Sequence, residues 1–185
     1  MKTSIATLFL STLLWSGATV SAAEVNGTQK PQWNEWPVVG QATLSWLWLD
    51  IYSSRLRTPD GKYQQQDDVP LHPLALEIRY LRDIEREDLV EATRDQWQKM
   101  GYSSNEIERW LPLLETMLPN VLSGEKLIYV SDGHRGQMIH MSLQDKSQVT
   151  GEVTDTQFNS AFLAIWLSPN TQYPKLRSQL IGMNR

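Results

Sequence analysis

Two stretches near the start of the chain alternate between apolar and polar positions, which is the pattern of β-strands. Residues 38–57 form the first, and the alternation places Trp48, Asp50 and Tyr52 on one face of a single long strand. Residues 74–82 form the second, in which Tyr80 lies on the face opposite Arg79. Three shorter strands are predicted further along, at 124–131, 137–143 and 148–153, with a tight hairpin between the first two.

Helical spacing of apolar residues and capping signals predict four helices between and after these strands. A helix over 85–100 is ended by Gly101, and Ser103 with Glu106 forms a capping box for a second helix to about residue 118. Thr154 with Gln157 begins a strongly apolar helix, and a last helix begins at Pro174. Because strands and helices come in clusters, the order favours an α+β fold with an antiparallel sheet and helices on one face.

The first residues are typical of a cleavable secretory signal peptide. Lys2 precedes an apolar run at 5–15, and small residues follow, so cleavage is expected after Ala22 or Ala23. The run is too short to span a bilayer. We therefore predict a signal peptide at 1–23, a loose polar leader at 24–37 and one domain at 38–185, exported to a bacterial periplasm.

Composition narrows the classes of partner. The chain has no cysteine, which excludes disulfides and thiolate catalysis. Without Lys2 it holds sixteen basic and twenty-one acidic residues, a net charge of about −5, which argues against nucleic acid as a partner. After the signal no run is long enough for a transmembrane helix, and the three histidines lack metal-ligand spacing. No phosphate-binding loop or dinucleotide fingerprint is present, so we predict no metal and no cofactor.

Three stretches carry a resemblance to the chalcone isomerase-like family, specifically its exported bacterial branch. They lie at 39–63, 73–84 and 151–182, and they occur in the family's order and spacing over nearly all of the predicted mature chain. The resemblance implies an open-faced β-sandwich, a large antiparallel sheet with helices packed on one face. Plant members of this family cyclise chalcones in the cleft between sheet and helices, whereas other members bind fatty acids there.

The resemblance also implies that the catalytic residues of the plant enzymes are not matched here. The arginine of their first strand falls at Gly40 or a neighbour, and none of residues 38–42 is cationic, while their strand threonine falls at Tyr52. Their helix tyrosine and asparagine fall near Glu85 and Ala92, and a late hydroxyl falls at Ile165. Glycine cannot replace a guanidinium that stabilises an anion, so chalcone cyclisation is not expected and no catalytic residue is assigned.

Six residues are candidates for ligand contact in such a cleft. Trp48, Tyr52 and Trp166 would supply aromatic contact area. Asp50 would supply a polar group on the strand. Either Arg55 or Arg79 would make a bidentate contact to an anionic head group. For Asp50 and the two arginines, ion pairing within the sheet is the alternative role.

The leading hypothesis is an exported, non-catalytic protein that binds a small apolar or amphipathic, fatty-acid-like ligand in the sheet–helix cleft. A second hypothesis is an isomerase- or lyase-type enzyme with Tyr52 and Asp50 as acid and base. A third is a periplasmic interaction protein whose tryptophans form a partner surface. The oligomeric state is not determined by these patterns.

Overall fold

The computed structural model describes residues 32–46, 48–65, 69 and 72–183. The predicted signal peptide and residues 24–31 of the predicted leader lie outside the described residues. Within the described chain, no helix combines the length and the apolar character that crossing a membrane requires.

The described residues form a six-stranded antiparallel sheet in which every strand pairs with its neighbours in sequence order. This meander confirms the predicted antiparallel sheet of an α+β fold. Its strands are β1 (Val38–Trp46), β2 (Leu49–Arg57), β3 (Leu74–Tyr80), β4 (Lys126–Ser131), β5 (Gly136–Met141) and β6 (Ser147–Val153).

The predicted single strand over 38–57 is wrong, because the chain reverses between Trp46 and Leu49 and forms the β1–β2 hairpin. Trp46 pairs with Leu49, and Leu44 pairs with Tyr52 across the ladder. No glycine, proline, asparagine or aspartate occupies this turn, so the usual sequence signals of a hairpin are missing. The reversal places Trp48 in the turn rather than on a strand face.

Four helices occupy the described chain, two between β3 and β4 and two after β6. They are α1 (Arg86–Lys99), α2 (Ser104–Met117), α3 (Thr156–Leu167) and α4 (Pro174–Leu180). The capping box of α2 forms in both directions between Ser103 and Glu106, as predicted. The cap of α3 is Asp155 rather than Thr154, because the Asp155 carboxylate accepts hydrogen bonds from two free backbone N–H groups of the first turn.

The helices cover one face of the sheet, and the main core lies between the two layers. Even-numbered positions of β2 and β3 point into this core, among them Leu56, Leu76 and Ile78. The alternation of a strand then sends the odd-numbered residues of β3, and those of β2 after Tyr52, to the outer face. Ile51 is the exception, because a register shift between β1 and β2 breaks the alternation there and Ile51 packs against the main core. This arrangement fixes which of the predicted site residues can meet the helices.

The outer face carries a smaller apolar cluster that the end of the predicted leader covers. Trp33 and Trp36 flank a short 3-10 turn (Trp33–Glu35) and pack against Ala75, Ile128 and Ile139. The Arg57 guanidinium also donates a hydrogen bond of 2.8 Å to the carbonyl of Trp36. The described end of the leader, residues 32–37, is therefore part of the packed domain and not loose, because its tryptophans bury apolar surface of the sheet.

Candidate functional site: a cavity between sheet and helices

A cavity of about 460 Å³ lies between the sheet and the helical layer. Its size is within the range of about 300–1,000 Å³ that is usual for small-molecule sites. Strands β1 to β5 form its floor, α1 and α3 form its roof, and the segment before α4 closes one side. The floor is lined by Leu44, Ile51, Tyr52, Ile78, Tyr80, Leu127, Tyr129 and Met138, and the roof and side by Leu89, Ala92, Thr93, Gln96, Leu118, Phe162, Ile165, Trp166 and Tyr173.

Most of this lining is aliphatic or aromatic, and the charged lining residues lie at one place. Arg82, Asp83 and Asp88 are exposed and line the cavity where β3 leads into α1. Asp83 also accepts a hydrogen bond of 2.7 Å from the backbone N–H of Ser123. The cavity thus combines an apolar interior with a charged rim, which suits an apolar or amphipathic molecule.

Tyr52 and Trp166 meet across the cavity as a hydrogen-bonded pair. Each is 8% exposed, and the indole Nε1 of Trp166 donates to the Tyr52 hydroxyl at 2.9 Å. Burial raises the pKa of Tyr52 far above its ordinary value, with the nearby Tyr80 and Tyr173 phenols adding to the rise. The phenol therefore stays protonated at neutral pH, so it can donate a hydrogen bond but is a poor base.

Two more polar side chains line the same cavity, Gln96 on α1 and Tyr173 on the segment before α4. The Gln96 side-chain Nε2 donates to the Tyr173 hydroxyl at 3.3 Å. The Gln96 Oε1 is buried and has no hydrogen-bond partner among the described residues. Tyr80 extends this group, since its ring lies edge-on to that of Tyr52 with centroids 6.2 Å apart, and burial raises its pKa as well.

Trp48 and Asp50 lie outside this cavity. Trp48 occupies the β1–β2 turn and is 83% exposed. Asp50 is exposed near the start of β2, where its carboxylate accepts a hydrogen bond from the Ser45 hydroxyl. The register shift between the Leu44–Tyr52 and Ser45–Asp50 pairs breaks the alternation at Ile51, so Asp50 does not continue the face of Tyr52. Asp50 and Tyr52 therefore do not form the acid–base pair that the enzyme hypothesis requires.

Arg55 and Arg79 also lie outside the cavity, because they occupy odd-numbered strand positions that face away from the helices. Arg55 is directly opposite Glu77 in the β2–β3 ladder and forms an ion pair with it at 3.7 Å. This is the cross-strand role that the sequence left as the alternative. Arg55 also borders a separate, more polar depression of about 830 Å³ beside β1 and α4. Arg79 is exposed and lies between Ser53 and Lys126.

Sequence reasoning found two of the lining residues, Tyr52 and Trp166, and did not single out Gln96 or Tyr173. Gln96 had a usable signal, because it lies on the buried face of α1 with Val90 and Thr93. A long polar side chain at a core position of a helix requires a partner. Tyr173 precedes Pro174 in a turn and gave no such signal.

The histidines of the described residues do not gather into a metal site. No group of three or more histidine and acidic side chains with suitable geometry occurs in the described ranges. His140 instead pairs with the buried Glu125, with 2.9 Å between the His140 Nε2 and a carboxylate oxygen. Neither residue lines the cavity.

An antiparallel sheet with one layer of helices and an apolar cavity between the layers defines an open-faced β-sandwich. Comparison with known families narrows this class. A family model described as chalcone isomerase-like matches residues 18–182. The chain therefore belongs to the chalcone isomerase-like family, as its sequence resemblance predicted.

Two individual proteins illustrate the relationship. An uncharacterized protein of Haemophilus influenzae is 27% identical over 150 residues, which is 81% of this chain and 70% of that protein. The crystal structure of a fatty-acid binding protein from Arabidopsis thaliana superposes with a TM-score of 0.56 and 11% identity, over 84% of this chain and 91% of that chain. The second likeness confirms the fold.

The structure gives a physical reason for the missing family arginine. At Gly40, where the resemblance places that residue, a Cβ would overlap the backbone carbonyls of Gln179 and Leu180 at the end of α4. The space that an arginine stem would need is filled by main chain. Other positions of the family site, Tyr52, Ala92 and Ile165, do line the cavity.

Proposed function

We propose that this protein is an exported, non-catalytic member of its family that binds a small apolar or amphipathic, fatty-acid-like ligand in the sheet–helix cavity. The observation that carries the proposal is the cavity itself, about 460 Å³ with a predominantly apolar lining. Burial of an apolar chain there would be favourable by roughly 25 cal/mol per Å² removed from water. The fatty-acid binding protein of Arabidopsis thaliana, which shares the fold, supports this class of ligand.

Absence of catalysis is supported by the composition of the lining. Burial raises the pKa of the Tyr52 and Tyr80 phenols, and its carboxylates, Asp83 and Asp88, are exposed at the rim. A general base needs a pKa near the working pH and a position within hydrogen-bond reach of its substrate. The buried part of the described cavity offers no carboxylate, imidazole or amine for that role.

Binding can be tested by narrowing the cavity from its helical side. Ala92→Trp places a large side chain at a lining position of α1 that is itself exposed, so the fold should tolerate the change. We expect affinity for the best ligand among laurate, lauramide, lauryl alcohol and methyl laurate to fall at least about tenfold, because the indole takes up ligand volume. Isothermal titration calorimetry and tryptophan emission measure the change.

Glu91→Trp is the matched control, since Glu91 is the exposed neighbour of Ala92 on α1 and does not line the cavity. Its affinity should equal that of the wild type. The proposal fails if the wild-type protein binds no member of the panel and mass spectrometry finds no small molecule in protein purified from its native host. Equal affinities of the two variants would place the binding site elsewhere.

The export part of the proposal is supported by the signal pattern at 1–23 and can be tested on its own. Expressed in a Gram-negative host, the full chain should appear in the periplasmic fraction with its first residue at Ala23 or Glu24, as read by intact mass. The chain that lacks residues 2–23 is the control and should remain in the cytoplasm. Uncleaved full-length protein in the cytoplasm would contradict export.

A further inference from the structure

The polar groups buried in the cavity carry no charge. Those open to a ligand are the hydroxyls of Tyr52, Tyr80 and the half-buried Tyr173 and the amide of Gln96. The hydroxyls of Thr93 and Tyr129 also line the cavity but already donate to the Leu89 carbonyl and to Asn159. Burial holds the pKa of Tyr52 and of Tyr80 well above neutral pH, so both remain uncharged phenols. Arg82 is the one cation among the described lining residues, and it is exposed at the rim.

These groups line one cavity. Gln96 is hydrogen-bonded to Tyr173, and both line the same cavity as Tyr52. The rings of Tyr52 and Tyr80 are in edge-to-face contact at 6.2 Å. The four side chains therefore form one cluster, drawn from β2, β3, α1 and the segment before α4.

The cluster offers both hydrogen-bond donors and an acceptor. The Tyr52 hydroxyl accepts from Trp166 and keeps its own proton for donation. The Tyr80 hydroxyl makes no hydrogen bond within the described part of the chain, so its proton is also available. On the acceptor side, Gln96 is 9% exposed and its Oε1 has no partner in the described residues. A buried acceptor without a partner is destabilising, and a ligand donor would remove that penalty.

From this arrangement we infer that the cavity selects a ligand whose buried head group is uncharged and carries both a carbonyl acceptor and an N–H or O–H donor. This inference rests on the proposed function and specifies its ligand class. A primary fatty amide has this chemistry, and so does a fatty acid in its protonated form. The carbonyl would accept from the Tyr52 and Tyr80 hydroxyls, the donor would reach Gln96 Oε1, and the tail would lie along the apolar lining.

An ionised carboxylate fits this cluster poorly. It would be taken out of water without a buried cation to pair with, and removing a charge from water is costly when it stays unpaired. It also has no proton to give to the Gln96 Oε1. A carboxylate would be better placed at the rim beside Arg82, where it remains hydrated. The head-group preference therefore distinguishes binding at the cluster from binding at the rim.

The test uses calorimetry to titrate four probes with the same hydrocarbon tail into the wild-type mature protein. The probes are laurate, lauramide, lauryl alcohol and methyl laurate. At about pH 7.5 laurate is ionised, because aliphatic carboxyls titrate near pH 4–5. We expect lauramide to bind at least about tenfold more tightly than laurate and methyl laurate. Laurate binding as tightly as lauramide would overturn the inference and leave the proposed function intact. Binding of none of the four, together with the absence of any small molecule in protein purified from its native host, would overturn both.

Two variants locate the preference in the structure. Gln96→Leu keeps the side chain's bulk but removes the amide, and should reduce the advantage of lauramide over methyl laurate to less than about twofold. Arg82→Gln removes the rim cation and should leave lauramide affinity unchanged. A lauramide advantage that survives Gln96→Leu, or that disappears in Arg82→Gln, would contradict the inference. If Gln96→Leu does not fold, the ranking of the probes by the wild type still decides.

Discussion

Trp97→Ala is expected to lower the free energy of unfolding by about 4 kcal/mol, the largest effect of any substitution considered for this fold. Trp97 lies on α1, is fully buried, and its indole donates a hydrogen bond of 2.9 Å to the carbonyl of Ala161 in α3. Its ring also makes edge contacts with Trp110 and Phe158, at centroid distances of 5.3 and 5.7 Å. Truncation leaves a cavity at the junction of three helices and removes the partner of the Ala161 carbonyl.

The measurement is thermal and urea unfolding followed by circular dichroism. For a domain of this size, about 4 kcal/mol corresponds to a fall in melting temperature of roughly 8–16 °C. Trp48→Ala is the matched control, because it makes the same chemical change at a side chain that is 83% exposed. Its effect should stay within about 0.5 kcal/mol. Similar losses for both variants would refute the helix packing described here.

Gly40→Ala is expected to lower the free energy of unfolding by about 3 kcal/mol, a large effect for the addition of one methyl group. The new Cβ would meet the backbone carbonyls of Gln179 and Leu180, and main chain cannot move aside as the end of a flexible side chain can. Relief of the overlap requires α4 to shift away from β1. Amide hydrogen exchange should accordingly rise in α4 while the pairs of β4 and β5 stay protected.

Thr43→Ala on the same strand provides the control, because Thr43 is exposed and shortening its side chain creates no overlap with α4. It should change stability by less than about 0.5 kcal/mol. A Gly40→Ala protein as stable as Thr43→Ala would show that α4 does not pack on β1 as described. It would also remove the steric explanation for the missing family arginine.

Most of the fold was predictable because its signals are local. The capping box of Ser103 and Glu106, the start of α4 at Pro174 and the alternation along β3 each depend on neighbours within a few residues. The β1–β2 turn was not predictable, because an apolar run without a turn-forming residue reverses there. The pairing of Leu44 with Tyr52 that fixes the reversal is a property of the folded sheet.

The candidate site was predictable only in part, because a strand has two faces and the sequence does not show which of them the helices cover. Alternation shows that Ile78 and Arg79 face opposite sides of β3, but it does not reveal which side the helices cover. Both faces hold enough apolar residues to be buried, and Trp33 and Trp36 do cover the outer one. Tyr52 and Trp166 are close neighbours in the cavity although they are 114 positions apart in the chain.

The packing of Trp33 and Trp36 on the outer face sets a limit on how far the chain can be shortened from its N-terminus. Cleavage after Ala22 or Ala23 retains this cover, whereas a protease that cut beyond Trp36 would leave Ala75, Ile128 and Ile139 facing water. An uncovered apolar sheet face is a surface on which a second copy can associate. Residues 32–37 thus shield an apolar face of the sheet, on the side away from the sheet–helix cavity.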